Sequence, residues 1–234
     1  MRTIWVVLVF FAALVTLCFP RWLRTLEVYR WRRALALDKH HSVYLQLFAP
    51  INGFSLSRDA RKTHDALEYV YGEIDFFSFI ALLSLTRPNN NTIFYDLGSG
   101  TGKAVLACAM VFNVKESHGI ERFPSLHHAA MGQREALALL PHYAIIAKKI
   151  YFLNDDFFNS NLSRATLIFI NATGFFGQRW ADISLIIEQS TQCETVITTS
   201  KALQSKAFSI AKITTVQMSW GAVKAYIQER LQGA

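Results

Sequence analysis

From residue 92 onward, short apolar runs alternate with longer stretches in which apolar residues recur every three to four positions. The runs Ile93–Leu97, Ser117–Glu121, Lys149–Leu153, Thr166–Asn171 and Thr195–Thr199 predict strands. The stretches Lys103–Phe112, Ser125–Leu140 and Gln178–Thr191 predict helices between them. Such alternation implies a doubly wound α/β architecture with a parallel sheet and right-handed crossovers. The ending differs: Ile210–Trp220 and Ala222–Gln228 are strand-like runs meeting at Gly221, with no helix between them, and predict an antiparallel hairpin. Seven strands result.

The front of the chain follows other rules. Ile4–Phe19 is a run of uncharged, almost wholly apolar residues ending at Pro20. As a helix it spans about 24 Å, slightly short of a ~30 Å hydrocarbon core, with Trp5 and Trp22 placed as interface anchors. A cleaved signal peptide is the competing reading, opposed by the absence of an A-x-A-like site and by five arginines just downstream. The expectation is a retained transmembrane helix, residues 1–20, with the body of the chain on the cytoplasmic side. Residues 21–62 read as a basic juxtamembrane helix over 21–40 and an irregular linker over Ser42–Thr63, and residues 63–234 as the catalytic domain. From His64 to Leu85 the pattern is helical, broken at Tyr71-Gly72-Glu73.

Charge refines this division. Of the net +7, five units fall within residues 1–33, so the basicity marks the flank of the apolar segment. The expected partner of residues 4–19 and 21–33 is an anionic membrane, with no direct nucleic-acid binding. Three scattered cysteines without a CxxC pair exclude a disulfide scaffold or thiolate zinc site, and the pairs His40-His41 and His127-His128 are poor metal claws. No metal is expected.

The chemistry gathers around Asp96-Leu97-Gly98-Ser99-Gly100-Thr101-Gly102-Lys103, where a strand gives way to a glycine-spaced loop and a helix. Three acids sit at predicted strand ends: Asp96, Glu121 and Asp156 (or Asp155). The carboxyl ends of parallel strands line one crevice, where such sheets bind ligands. Glu121 is placed to accept ribose hydroxyls, and Asp156 to reach an adenine amino group, with Phe157 packed on the ring. A dinucleotide site wants G-x-G-x-x-G; here Gly98, Gly100 and Gly102 alternate, and an acid precedes them. That acid disfavours pyrophosphate and favours a cationic ligand. The loop, the acids and the closing hairpin together predict S-adenosylmethionine over a nicotinamide cofactor.

At the end of the fourth predicted strand, Asn171 stands as an amide acceptor for an amine, with Phe175 or Phe176 walling the entrance. Methyl transfer to lysine needs a neutral amine from a group whose ordinary pKa is near 10.4. A dry aromatic channel beside a sulfonium disfavours the ammonium.

The ordered pieces Tyr71-Gly72-Glu73-Ile74, Asp96-Leu97-Gly98-Ser99-Gly100, His118-Gly119-Ile120-Glu121, Asp156-Phe157, Ile168-Phe169-Ile170-Asn171, Thr199-Ser200-Lys201 and Met218-Ser219-Trp220 with Tyr226 resemble Dot1-type (non-SET) histone-lysine methyltransferases. The similarity covers about two thirds of the chain, Tyr69 to Tyr226. The resemblance implies a class I, seven-strand fold and S-adenosylmethionine-dependent methylation of a protein lysine. It implies Tyr71, Glu73, Asp96, Gly98, Glu121, Asp156 and Asn171 around the cofactor, and Phe175 and Tyr226 near the lysine channel. Lys103 stands where the family usually has Gln, and adds a positive charge at the pocket edge. The front lobe is shorter than usual, a long basic tract is absent, and Asn171 is followed by an extra residue. The alternatives are methylation of a lipid or small metabolite, and a non-catalytic cofactor-binding scaffold.

Overall fold

The computed structural model describes residues 23, 25–62 and 65–232. The chain divides into two compact units, Met1–Ser42 and Val43–Ala234. Within the first, residues 25–34 are helical. Ala36 takes a left-handed φ of +47°, which interrupts the helix expected over 21–40. The apolar run 4–19 lies outside the described residues. Among the described residues, no helix is long and apolar enough to cross a membrane.

Helix α1 spans Leu37–Phe48. Helix α2 (Gly53–Ala60) follows after a short turn. Both overturn the expectation that Ser42–Thr63 is irregular. Asn52-Gly53 reads as a turn, but the Asn52 side chain accepts from the Ser55 N–H at 3.0 Å, so the pair opens a helix.

A second expectation also changes. Residues 70–75 are extended after a single 3-10 turn, Leu67–Tyr69, and helix α3 (Phe76–Ser84) starts only where Asp75 caps the Ser78 N–H at 2.9 Å. The cause is long-range pairing. Ile74 bridges Met218, the Asp75 N–H donates to the Gln217 carbonyl at 2.9 Å, and the Ser219 N–H donates to the Glu73 carbonyl at 2.8 Å. The segment is a strap tied to the closing hairpin.

The strands are β1 (Ile93–Leu97), β2 (Glu116–Glu121), β3 (Ile150–Asn154), β4 (Leu167–Ile170), β5 (Thr195–Thr199), β6 (Phe208–Met218) and β7 (Gly221–Arg230). They form one sheet in the order β3-β2-β1-β4-β5-β7-β6. The first five strands are parallel; β7 runs antiparallel to β5 and to β6. The doubly wound sheet and its hairpin therefore form as expected. Between the strands lie α4 (Lys103–Val111), α5 (Pro124–Ala138), the short α6 (Ala144–Ala147) and α7 (Gly177–Gln189).

All five β1 residues are buried, as a strand covered on both faces requires. Phe79 of α3 packs edge-on against Phe94 and Phe169 on one face. Trp180, Ile183 and Ile187 of α7 join Tyr95, Leu97, Ile168 and Ile170 in the core of the other. Winding reverses between β1 and β4, which are neighbours in the sheet. The crevice at such a switch point is where open α/β sheets bind ligands, and here it lies between Gly98 and Asn171.

Candidate active site

The loop after β1 is fixed by its backbone. The Gly98 and Ser99 N–H groups both donate to the Ile120 carbonyl, at 2.9 and 3.0 Å, pinning the loop to β2. Gly98, Gly100 and Gly102 have φ of +82°, +55° and +82°, a region other residues enter at a cost. Gly100 also lies under the Tyr71 ring, 2.6 Å from where a Cβ would sit. Gly102 differs: it precedes α4, its missing Cβ makes room for Phe152, and it lines neither cavity. Its part is in packing the loop.

The three strand-end acids converge but live in unlike surroundings. Asp96 is 4% exposed, and burial together with nearby Glu121 pushes its carboxyl up to about 8. Glu121 accepts the Gly100 N–H on Oε2 and the Phe123 N–H on Oε1, each at 2.8 Å, while burial still raises its pKa. Asp156 is held by arginines, with Arg122 at 3.2 Å and Arg179 at 3.7 Å on Oδ2, and the Phe158 N–H at 3.1 Å on Oδ1. Beside it Phe157 meets Phe175 edge to face at 6.0 Å.

The strap closes over these groups. Tyr71 donates to Glu73 at 2.8 Å and lies 3.1 Å from the Thr101 hydroxyl, while Lys103 Nζ donates to the other Glu73 oxygen at 2.6 Å. At the far end Arg122 donates to the Tyr69 hydroxyl at 2.7 Å, and Arg179 pairs with Glu68 at 3.1 Å. Gly72 gives way to Trp220, whose ring lies 1.7 Å from where a Gly72 Cβ would be. Two motifs far apart in the chain, Tyr71-Gly72-Glu73 and Met218-Ser219-Trp220, are thus one contact.

Two adjoining cavities result. The larger, about 110 Å³, runs from Tyr71 and Gly98 past Glu121 to Asp156, Phe157 and Phe175. The smaller, about 40 Å³, holds Asp96, Lys103 and Glu73 against Ile74, Phe169 and Met218. Tyr71, Gly72, Gly98 and Asn171 line both. Asn171 lies at the end of β4, its Oδ1 accepting the Thr199 hydroxyl at 2.6 Å and the Thr173 hydroxyl at 2.9 Å. An amine-accepting role requires the amide turned about its axis: the two hydroxyls can reverse to accept, and the longer bond that Oδ1 takes from the Thr173 N–H, 3.4 Å, is given up.

Of the two residues expected near the acceptor, Phe175 shares the larger cavity with Asn171 and Tyr226 lines neither cavity. Phe175 is buried in the wall of the larger cavity, stacked on Trp180, while Lys201 donates to its carbonyl and lies over the Phe176 ring at 3.9 Å. Tyr226 is paired with Thr198 and Ile213 in mid-strand and lines neither cavity. Sequence reasoning passed over Ser57, Tyr69, Arg122, Arg179, Phe169 and Met218 as lining residues. Arg122 had a signal, directly following Glu121; Arg179 had none.

The family model for "Histone methylation protein DOT1" matches residues 57–224, more than two thirds of the chain, from α2 into β7. The chain belongs to the Dot1 family. A relative in Gibberella zeae, the "Histone-lysine N-methyltransferase, H3 lysine-79 specific", is 28% identical over 144 residues, covering 58% of this chain and 29% of the relative. The chain thus spans less than a third of that relative's length. Among solved structures, an RNA methyltransferase from Salinibacter ruber in complex with S-adenosyl-L-homocysteine aligns with a TM-score of 0.52 and 19% identity, over 67% of this chain and 92% of that one. Sp1610 of Streptococcus pneumoniae, a putative tRNA (m1A22) methyltransferase in complex with S-adenosyl-L-methionine, gives 0.52 and 16%, over 69% and 75%. These show the class I methyltransferase fold.

This Dot1-family chain has the class I methyltransferase fold, and its pocket suits S-adenosylmethionine. Asp96, buried without a cationic partner among the described residues, matches an ammonium; Glu121 remains open to ribose hydroxyls; Phe157 and Phe175 offer an apolar wall to a purine.

Proposed function

We propose that this Dot1-family methyltransferase transfers a methyl group to the side-chain amine of a protein lysine, on a histone-type or membrane-protein target. We further propose that residues 4–19 anchor it as a single-pass protein and that the basic flank 21–33 rests on anionic lipid, with the catalytic unit on the cytoplasmic side. The observation carrying the lysine reading is the Dot1 match from residue 57 to residue 224, which takes in the strap and the sheet as far as the start of β7.

When bound, S-adenosylmethionine supplies an electrophilic methyl on a sulfonium. The chain's residues then have three tasks. Asp96 holds the cationic end of the cofactor. Ile74, Phe169 and Met218 give the cavity beside Asn171 an apolar side, and the sulfonium next to it disfavours a second positive charge on the amine. Asn171, its amide turned and braced by Thr173 and Thr199, orients the amine so that transfer gains chiefly from positioning.

The test is incubation of the full chain with methyl-labelled S-adenosylmethionine and native membranes or lysate. Label in lysine of a protein band supports the reading. Label in the lipid or small-molecule extract overturns it, and so does cofactor binding without turnover. Asn171→Ala is expected to keep cofactor affinity within about threefold and to slow transfer by more than about 100-fold; an unchanged rate removes Asn171 from the chemistry.

A further inference from the structure

Helix α2 carries a polar group that the fold leaves without a partner. Ser57 is 1% exposed, and its hydroxyl has no hydrogen bond among the described residues. It also lines the larger cavity. A buried hydroxyl is a donor with two acceptor sites, and leaving it unpaired is unfavourable unless a ligand completes it.

Its place in the fold narrows the ligand group. Gly53 lies against the Tyr71 hydroxyl, 2.5 Å from where its Cβ would be, and Ser57 is one helical turn further along the same face. Tyr71 covers Gly100, whose N–H is bonded to Glu121. Helix α2 packs on α5, which starts directly beyond Phe123, and Leu126 of α5 lines the cavity with Ser57 and Glu121. The hydroxyl therefore stands at the Gly100–Glu121 end of the pocket. Asp156 occupies the other end.

We infer that Ser57 is a cofactor-binding residue, its hydroxyl pairing with a ribose hydroxyl of S-adenosylmethionine across from Glu121. The inference rests on the cofactor assignment. It gives α2 a share in the site.

The test uses the full chain, S-adenosylhomocysteine and its 2′-deoxy and 3′-deoxy forms, with calorimetric affinities and melting of the free protein. Ser57→Ala is expected to bind S-adenosylhomocysteine about 3- to 10-fold more weakly. Against one of the two deoxy forms the same substitution is expected to cost less than about 1.5-fold, because the partner hydroxyl is already gone. The free variant should melt no lower than the wild type, since the hydroxyl removed had no partner. Wild-type affinity in Ser57→Ala overturns the proposal, as does an equal loss against both deoxy forms, or a lowered melting point of the free variant. If the wild-type chain itself fails to bind S-adenosylhomocysteine, the cofactor assignment falls first, which is a separate result.

Discussion

Asp96 and Asp156 are both strand-end acids of one pocket, yet they sit in opposite states. Asp156 has two arginines and a backbone N–H. Asp96, among the described residues, has neither an ion pair nor a side-chain hydrogen bond, and its carboxyl is pushed up to about 8. Glu73, at the same end as Asp96, is already met by Lys103 and Tyr71. The fold has thus compensated the charges that hold strap and walls together, and left one acid whose compensation must come with the ligand. An unpaired buried carboxylate is among the costliest groups a protein keeps. Its retention marks the cation site more sharply than the acids' shared position at strand ends.

Removing that one group gives the largest effect. Asp96→Asn is expected to weaken S-adenosylmethionine by more than about 100-fold, since it removes a charge-assisted contact in a low dielectric. Calorimetry decides it, and near-wild-type affinity would end the distinction drawn between the two acids. The free variant should be more stable than the wild type at pH 8, because an uncompensated charge is gone.

The same contrast predicts a pH dependence of intermediate size. Below about pH 8 the free Asp96 carboxyl is mostly protonated, so binding a cation expels a proton. The dissociation constant should fall about tenfold per unit as pH rises toward 8, then level off. Stability of the free protein runs the other way. The folded carboxyl binds its proton more tightly than the unfolded one, so stability should decline as pH climbs from about 4 toward 8. In Asp96→Asn both slopes should flatten. A pH-independent affinity in the wild type would mean that Asp96 is ionised before the ligand arrives.

Much of this was legible in sequence where the physics is local. The strands announce themselves by apolar runs, and the loop by glycines whose positive φ needs no distant partner to be inferred. The strap was misread because its conformation is decided elsewhere, by Met218 and Ser219, while at Asn52-Gly53 a local N-cap to the Ser55 N–H was passed over for an irregular segment. The chain order of Tyr71-Gly72-Glu73 and Met218-Ser219-Trp220 was visible, but their contact was not. The state of Asp156 was equally hidden, since Arg179 comes from α7 and no spacing rule links the two. Phe175, read as walling the entrance beside Asn171, shares a cavity with it, whereas Tyr226, assigned by family resemblance, is paired in mid-strand and lines neither cavity.

The arginine clasp gives the smallest effect and isolates the other half of the comparison. Arg179 touches Glu68 on the strap, Asp156 after β3 and the Phe158 ring at 3.9 Å, so it closes the far end of the larger cavity. Its side chain is 34% exposed, and partly exposed pairs are worth about 0.2–1 kcal/mol each. Arg179→Ala should therefore speed S-adenosylhomocysteine release by about two- to fivefold with little change in the association rate, as measured by stopped-flow. It should leave the pH slope from Asp96 intact, because the two acids lie at opposite ends of the pocket. Loss of that slope in Arg179→Ala would show that the ends are coupled and that Asp156 shares in setting the charge on Asp96. Its persistence would leave the clasp a latch on the cofactor and Asp96 the receptor for its charge.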